Sequence, residues 1–285
     1  MVVMKGKAPV DTKCPVADTT HVYVNGSTVY DATLNQTDIS YNVKGHNKYY
    51  IIQLLEADNG GQYYCWQRWG RVGSDGQSAL KGPFSLALAQ SEFESKFFDK
   101  TNNRFGEPNF VHKPGKYDLV AVDYNADDKG GDGAGGAGGD GGGAAAAAKP
   151  APKKVESKLD PRVFSLVELI SSIKQMEAAM LEMKYDTKKA PLGKLTKQQI
   201  KAGYEALKEI EVLVTAGKTS GPELVAACNR FYTRIPHDFG MNKPPLINTV
   251  QMIKAKADLL EALGEIEIAM KVLQDKTEAE VRAGR

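Results

Sequence analysis

Hydrophobic and polar residues follow two different periods along this chain. In the first half, His21-Val22-Tyr23-Val24, Val29 to Leu34, Lys48 to Leu55 and Tyr63 to Trp69 are short runs rich in β-branched and aromatic residues, which predicts strands. Asn25-Gly26 and Asn59-Gly60-Gly61 lie between runs, where hairpin turns need positive backbone angles. From Ser85 to Lys100 the period lengthens. Leu86, Leu88, Ala89, Phe93 and Phe97 recur at roughly helical spacing, so one helix is expected on an antiparallel sheet.

Between residues 125 and 157 neither period holds. Gly130 to Gly143 is nearly all glycine with interspersed Asp and Ala, followed by Ala144 to Ala148 and Lys149-Pro150-Ala151-Pro152. Nothing here can bury a core, so a linker is expected, flexible first and stiffer in its Pro-Ala part. Beyond it the helical period takes over. Asp160-Pro161 is a helix-start signal, with Val163, Leu166, Val167, Ile170, Ile173, Met176, Met180 and Met183 on one apolar face. Thr196 with Gln199 and Ser220 with Glu223 are capping-box patterns for helices to about Val214 and Tyr232. A last long helix is predicted from Asn248 or Thr249 to about Gln274. Short loops between amphipathic helices argue an antiparallel bundle. The methionine stripe reads as core, with a partner-facing groove as the alternative.

The fold class is therefore multidomain, α+β followed by all-α. The expected divisions are a flexible tail over 1–20, a sheet-and-helix domain over 21–124, a low-complexity linker over 125–157, a helical domain over 158–275 and a tail over 276–285. The length of 285 residues accommodates two domains. A formal net charge of +2 does not announce nucleic acid, so any such contact must come from a local patch. Cys14, Cys65 and Cys228 form no CxxC pair and no zinc-type cluster, and read as reduced thiols of an intracellular protein. No membrane-spanning run and no signal peptide is evident.

Candidate chemistry concentrates at Trp69-Gly70-Arg71, within Cys65-Trp66-Gln67-Arg68-Trp69-Gly70-Arg71-Val72-Gly73. A strand-like aromatic run meets a glycine-punctuated turn there. An indole beside a planar, always-charged guanidinium suits a nucleic-acid end, where a ring stacks on sugar or base and Arg meets phosphate. The plainer alternative is a buried Trp beside a surface Arg in a hairpin.

Asn47-Lys48-Tyr49-Tyr50-Ile51-Ile52-Gln53-Leu54-Leu55, then Gly76-Gln77-Ser78, Phe97-Phe98-Asp99-Lys100-Thr101-Asn102-Asn103 and Pro114-Gly115-Lys116-Tyr117-Asp118 flank this segment in order. Together, from about His21 to Tyr124, they closely resemble the WGR domain of the DNA-damage-dependent poly(ADP-ribose) polymerases. In the second half, Met183 to Leu195, Phe231-Tyr232-Thr233-Arg234-Ile235-Pro236-His237-Asp238-Phe239-Gly240 and Leu260 to Ala269 resemble the helical regulatory domain of the same polymerases. The short N-terminus, without zinc fingers, is similar to the smaller members.

The resemblance implies a role for each matching position. Trp69 would stack on a sugar at a DNA break. Arg71 would bridge DNA and the helical domain. Asn47 and Lys48 would contact the DNA backbone, Lys100 would meet phosphate from the helix end, and Tyr117 would donate its hydroxyl to phosphate. Solvated lysines at 48 and 100, and a half-buried strand residue at 117, are the plainer alternatives. Trp66 alternates with the tripeptide and is expected in the core. His237 is expected to bond nearby backbone after Pro236, and Glu265 and Glu267 to be surface or inter-domain carboxylates.

In this family the helical domain is followed by an NAD-binding transferase domain and restricts its access to NAD. The chain ends at Lys276 to Arg285, so the expectation is a sensor and a gate, inactive alone, with no cofactor of its own. NAD+ would be the substrate of the missing domain. The implied partners are DNA with strand breaks (5′-phosphorylated nicks or ends) and the protein's own transferase domain. The implied place is the nucleus, and no membrane is involved. Glu156 and Ser157 are candidate acceptor sites by exposure alone. Two other readings stay open, a non-enzymatic nucleic-acid-binding scaffold complete as it stands and an RNA-binding protein.

Overall fold

The computed structural model describes residues 8–122, 173–185 and 195–283. The linker, the helix start at Asp160-Pro161 with its apolar positions to Ile170, and Glu156 and Ser157 lie outside the described residues. So do residues 1–7, 186–194 and 284–285.

The first half is built on an antiparallel sheet in the order β7-β6-β5-β4-β8. Its strands are β4 (Asp31–Asp38), β5 (His46–Ala57), β6 (Tyr63–Arg71), β7 (Gln77–Phe84) and β8 (Asp118–Leu119). β1 (Thr20–Val22) pairs with β5 beyond the end of β4, from Thr20 opposite Ala57 to Val22 opposite Leu55. β2 (Val24–Asn25) and β3 (Thr28–Val29) close a small hairpin, with Gly26 at φ 61° in the turn as Asn25-Gly26 predicts.

β5 is the central strand, and both of its faces are covered. Tyr50, Ile52 and Leu54 point to one side. There they join Leu34 and Cys65 beneath Ala89, Phe93 and Phe97 of α1 (Leu86–Thr101). Leu55 points to the other side, with Val22 and Trp66, and is covered by Ala8, Val10 and Cys14. The 1–20 segment therefore departs from the flexible tail expected of it, from Ala8 onward. Its backbone is pinned where Asp11 N–H donates to Gln53 Oε1 (2.9 Å) and Gln53 Nε2 donates to Pro9 O (3.0 Å). Asp11 Oδ2 also accepts from Arg68 Nε at 2.7 Å, in a pair largely out of solvent. Trp66 is in the core as expected, at 2% exposure.

The second half contains α2 (Ile173–Glu182), α3 (Lys197–Thr215), α4 (Pro222–Arg234) and α5 (Val250–Ala283). They share a core that includes Met180, Ile200, Leu207, Ile210, Leu224, Phe231, Leu260 and Leu263. Met176 and Met183 pack against it, so the methionine stripe is core. Thr196 caps α3 by accepting from the Gln199 N–H at 3.1 Å. The Gln199 side chain reaches Arg234 O (2.6 Å) and ties α3 to the end of α4. The second expected cap is not used. Gly221, at φ 100°, precedes Pro222 and starts α4, because Pro at the first helical position fixes the entry. α5 continues past Gln274 to Ala283. The close crossing of the helices depends on Gly203, where a Cβ would come within 2.9 Å of the Ile235 side chain and 3.0 Å of Leu260.

The two halves meet. Ile39 and Val120 of the sheet domain belong to the same buried cluster as the helices, and Val122 bridges to Leu195.

Candidate nucleic-acid interface

Strand register arranges the candidate residues in rows. Gln36, Lys48 and Arg71 face one another across β4, β5 and β6, and Leu34, Tyr50 and Trp69 form the next row on the same face. The Trp69 ring stacks on Tyr50, with centroids 5.5 Å apart and planes 10° from parallel. Tyr117 meets Tyr50 edge-on at 6.2 Å. Lys100, in the last turn of α1, sits 5.0 Å from the centre of the Tyr50 ring and 3.2 Å from the Asp99 carboxylate. α1 stops where Asn102 turns left-handed (φ 55°) and its N–H returns to Phe98 O. Lys100 O then accepts from Tyr117 N–H at 3.0 Å, which holds residue 117 beside the helix end.

Lys100, Trp69 and Tyr117 thus come together around the Tyr50 ring at the rim of the core, with Lys48 in the next row of the same face. The cations sense one another. Burial, and then the Lys100 charge, lower the Lys48 ammonium below its ordinary value, with Asp38 opposing. Burial, and then Lys48, lower His46, with Arg71 acting in the same direction. Burial pushes the Tyr117 hydroxyl up to about 12, so it remains a protonated donor at neutral pH.

Asn47 does not join this group. Successive residues of a strand face opposite ways, so Asn47 turns from Lys48 toward the helical half. It is fully buried, with Nδ2 donating to His237 O (2.9 Å) and Oδ1 accepting from Thr37 Oγ1 (3.2 Å). A side chain so enclosed cannot reach a nucleic-acid backbone, and the expected contact is corrected accordingly. Its neighbours on that face do the same work. Asn35 Nδ2 donates to Tyr232 O and Thr233 O, both at 3.0 Å. Thr37 N–H donates to Thr233 Oγ1 (2.9 Å), and Ile39 N–H donates to Asn229 Oδ1 (2.8 Å).

Arg71 shares the row of Lys48 but lies at its end, where the helical half arrives. Its guanidinium donates to four carbonyls, two from each half. Nη1 donates to Gly45 O (3.1 Å) and Nη2 to Lys44 O (3.1 Å), while Nε reaches Gly240 O and Nη2 also reaches Asn242 O. The following turn is equally close. Gly73 has φ 87°, and a Cβ there would fall 2.2 Å from Asp238 Oδ1.

His237 is fully buried at this seam and donates from Nδ1 to Ile235 O at 2.7 Å. Burial, and then Lys256, hold its imidazole well below the usual histidine range. That is the backbone-bonding role expected of it. Glu265 is exposed and Glu267 is buried in the helical half.

Sequence reasoning missed Asn35, Thr37, Asn229 and Thr233 because polar residues that bond across a seam read like surface ones. Among the described residues no cluster of His, Cys, Asp and Glu could hold a metal ion, and no helix is long and apolar enough to cross a membrane.

Fold and site define a two-domain chain, in which a sheet with an aromatic and cationic face is joined to a helical bundle by Arg71 and by a set of buried polar contacts. Residues 30–111 match the WGR domain, and residues 157–282 match the regulatory domain of poly(ADP-ribose) polymerase. The chain is 47% identical over 280 residues to Poly [ADP-ribose] polymerase 2 of Homo sapiens, covering 97% of this chain and 46% of that protein. It is 40% identical over 280 residues to Protein mono-ADP-ribosyltransferase PARP3 of Homo sapiens, covering 95% and 50%. It is 35% identical over 276 residues to Poly [ADP-ribose] polymerase 1 of Gallus gallus, covering 96% and 25%. The chain carries a WGR domain and a poly(ADP-ribose) polymerase regulatory domain, and is homologous to such polymerases over about 95% of its own length. It spans half or less of the length of these relatives.

Proposed function

We propose that this chain is the DNA-break-sensing and regulatory portion of a nuclear poly(ADP-ribose) polymerase acting in DNA repair. The observation that carries this reading is the position of Arg71. It ends the row that holds Lys48, lies two residues beyond Trp69 on the same face, and its guanidinium clamps the loop that joins α4 to α5. A duplex end or nick laid on that face would meet the indole of Trp69 with sugar or base, and Lys48, Lys100 and the Tyr117 hydroxyl with phosphates. Whatever fixes or tilts Arg71 acts on Gly240 and Asn242 through the same group.

In this reading the helical half restrains a transferase domain that takes NAD+ as substrate. DNA loosens the packing among the helices while the clamp serves as the lever. Such coupling requires DNA to bind the loosened state better than the tight one, with typical coupling free energies of about 1–3 kcal/mol. Two of the four carbonyl bonds cross to the helical half, and at roughly 1.5–3 kcal/mol for a bond from a charged donor they are enough to carry it.

The test is fluorescence-anisotropy titration of the chain with a duplex carrying a 5′-phosphorylated nick, an intact closed duplex and an RNA duplex at physiological salt. The reading predicts preference for the nick, loss of most of it in Trp69→Ala, and unchanged helical content in that variant. Equal binding to nicked and intact DNA, or preference for RNA, would contradict it and favour a general nucleic-acid scaffold.

A further inference from the structure

The clamp has a second consequence, for a surface that neither half forms alone. Arg71 Nη2 joins Lys44 O to Asn242 O, so the loop after β4 and the loop after α4 lie against each other. Lys243 packs over Gly45 in that contact. A Cβ on Gly45 would lie 3.4 Å from Lys243 Cγ and 3.4 Å from Pro244 Cδ. Lys44 and Lys243 therefore stand on either side of one guanidinium, and both are exposed.

Beside them lies the field already described, in which His46 is lowered by Lys48 and Arg71, and Lys48 by Lys100. Two carboxylates stand near, and both are engaged. Asp38 Oδ1 accepts from the N–H and hydroxyl of Ser40, and Asp238 Oδ1 accepts from Gly240 N–H. Among the described residues no carboxylate pairs with Lys44, Lys48 or Lys243. Tyr41 stacks on His46 at 3.4 Å between ring centres and is half exposed at the loop tip. Lys44, Lys48, Arg71 and Lys243 outnumber the two nearby carboxylates, and with an aromatic ring among them they form a surface for a polyanion that also offers planar groups.

We infer that the nucleic-acid track crosses the seam, so that a DNA phosphate backbone leaving Lys48 continues over Lys44 to Lys243 of the helical half. This rests on the proposed DNA reading of the Trp69 face and adds to it that the regulatory domain itself touches DNA. The Gly240–Lys243 loop then stays with the sheet when DNA is bound. Loosening is confined to the helices behind it.

The test uses the full chain and a 5′-phosphorylated nicked duplex extended on both sides of the nick, with anisotropy titrations over a range of salt concentrations. Lys243→Gln is compared with Lys243→Arg and with Lys208→Gln, an exposed lysine of α3. A lost phosphate contact lowers affinity by about fivefold and the salt slope by about 0.9. We expect this for Lys243→Gln alone, with the arginine variant near wild type. Lys243→Gln indistinguishable from wild type, while Lys48→Gln loses affinity, would overturn the inference and leave the Trp69 face intact as the site. No nick binding by the wild-type chain would overturn both.

Discussion

Asn47 and Lys48 are adjacent in sequence and both polar, yet the sheet sends them to different tasks. Lys48 joins the rim of the face that carries Tyr50 and Trp69. Asn47 is fully buried and holds the carbonyl of His237. The face that Lys48 joins is apolar beneath α1 and open at one end. The other is apolar beneath the N-terminal segment and polar where the helical half docks. A strand with two covered faces can thus serve a ligand on one side and a neighbouring domain on the other, separated by one residue of register. Arg71, long enough to reach round the end of the row, connects the two.

The largest effect should come from the seam. Asn47→Asp replaces an enclosed donor with a charge facing the His237 carbonyl oxygen. A loss of about 3–5 kcal/mol is expected in urea unfolding, as for other uncompensated buried charges. A change below 1 kcal/mol would mean the seam opens freely to water.

Next is the N-terminal segment. Asp11→Ala removes the partner of Arg68 but leaves Arg68 its bonds to Tyr49 Oη and Asp75 O. About 2 kcal/mol is expected, less than for a fully orphaned buried charge. A flexible tail would show no effect.

His237 gives a smaller, pH-dependent effect. Its folded value lies well below the 6.5 of the unfolded chain, so the unfolded state binds its proton first. Stability is complete above about pH 6.5 and declines as pH falls below it, by at most about 1.4 kcal/mol per unit from this group. Thermal melts between pH 7.5 and 5.5 should show a decline that is shallower in His237→Gln. A slope identical in the variant would place the titration elsewhere, His46 being lowered in the same direction. The smallest effect on stability is Lys48→Gln, within about 0.5 kcal/mol, although this change should weaken DNA binding. A stability loss as large as that of Asn47→Asp would erase the distinction between the two faces.

Much of this was legible in the sequence. Alternation along residues 48–55 and 63–69 and helical spacing along 85–100 located the sheet and its helix, because burial imposes those periods directly. Trp69, Lys100 and Tyr117 do come together, with Lys48 in the next row of the same face. β7 was not legible because it is a mostly exposed edge strand containing Gly82-Pro83, with little apolar pattern to see. The N-terminal covering was hidden because Ala8, Val10 and Cys14 are widely spaced among polar residues, and their burial depends on a surface formed by distant strands. Asn47 was misplaced for the same reason. Which face a polar strand residue presents depends on what docks there, and the partner lies 190 residues away in the chain.

The central claim is that DNA on the Trp69 face reaches the helical half through Arg71. Amide hydrogen exchange of the chain, with and without saturating 5′-phosphorylated nicked duplex, tests it most directly in wild type and Arg71→Ala. The account predicts faster exchange in α3, α4 and α5 on DNA binding in the wild type, and little change in the variant at equal DNA occupancy. The same acceleration in both proteins, or none in the wild type, would contradict it.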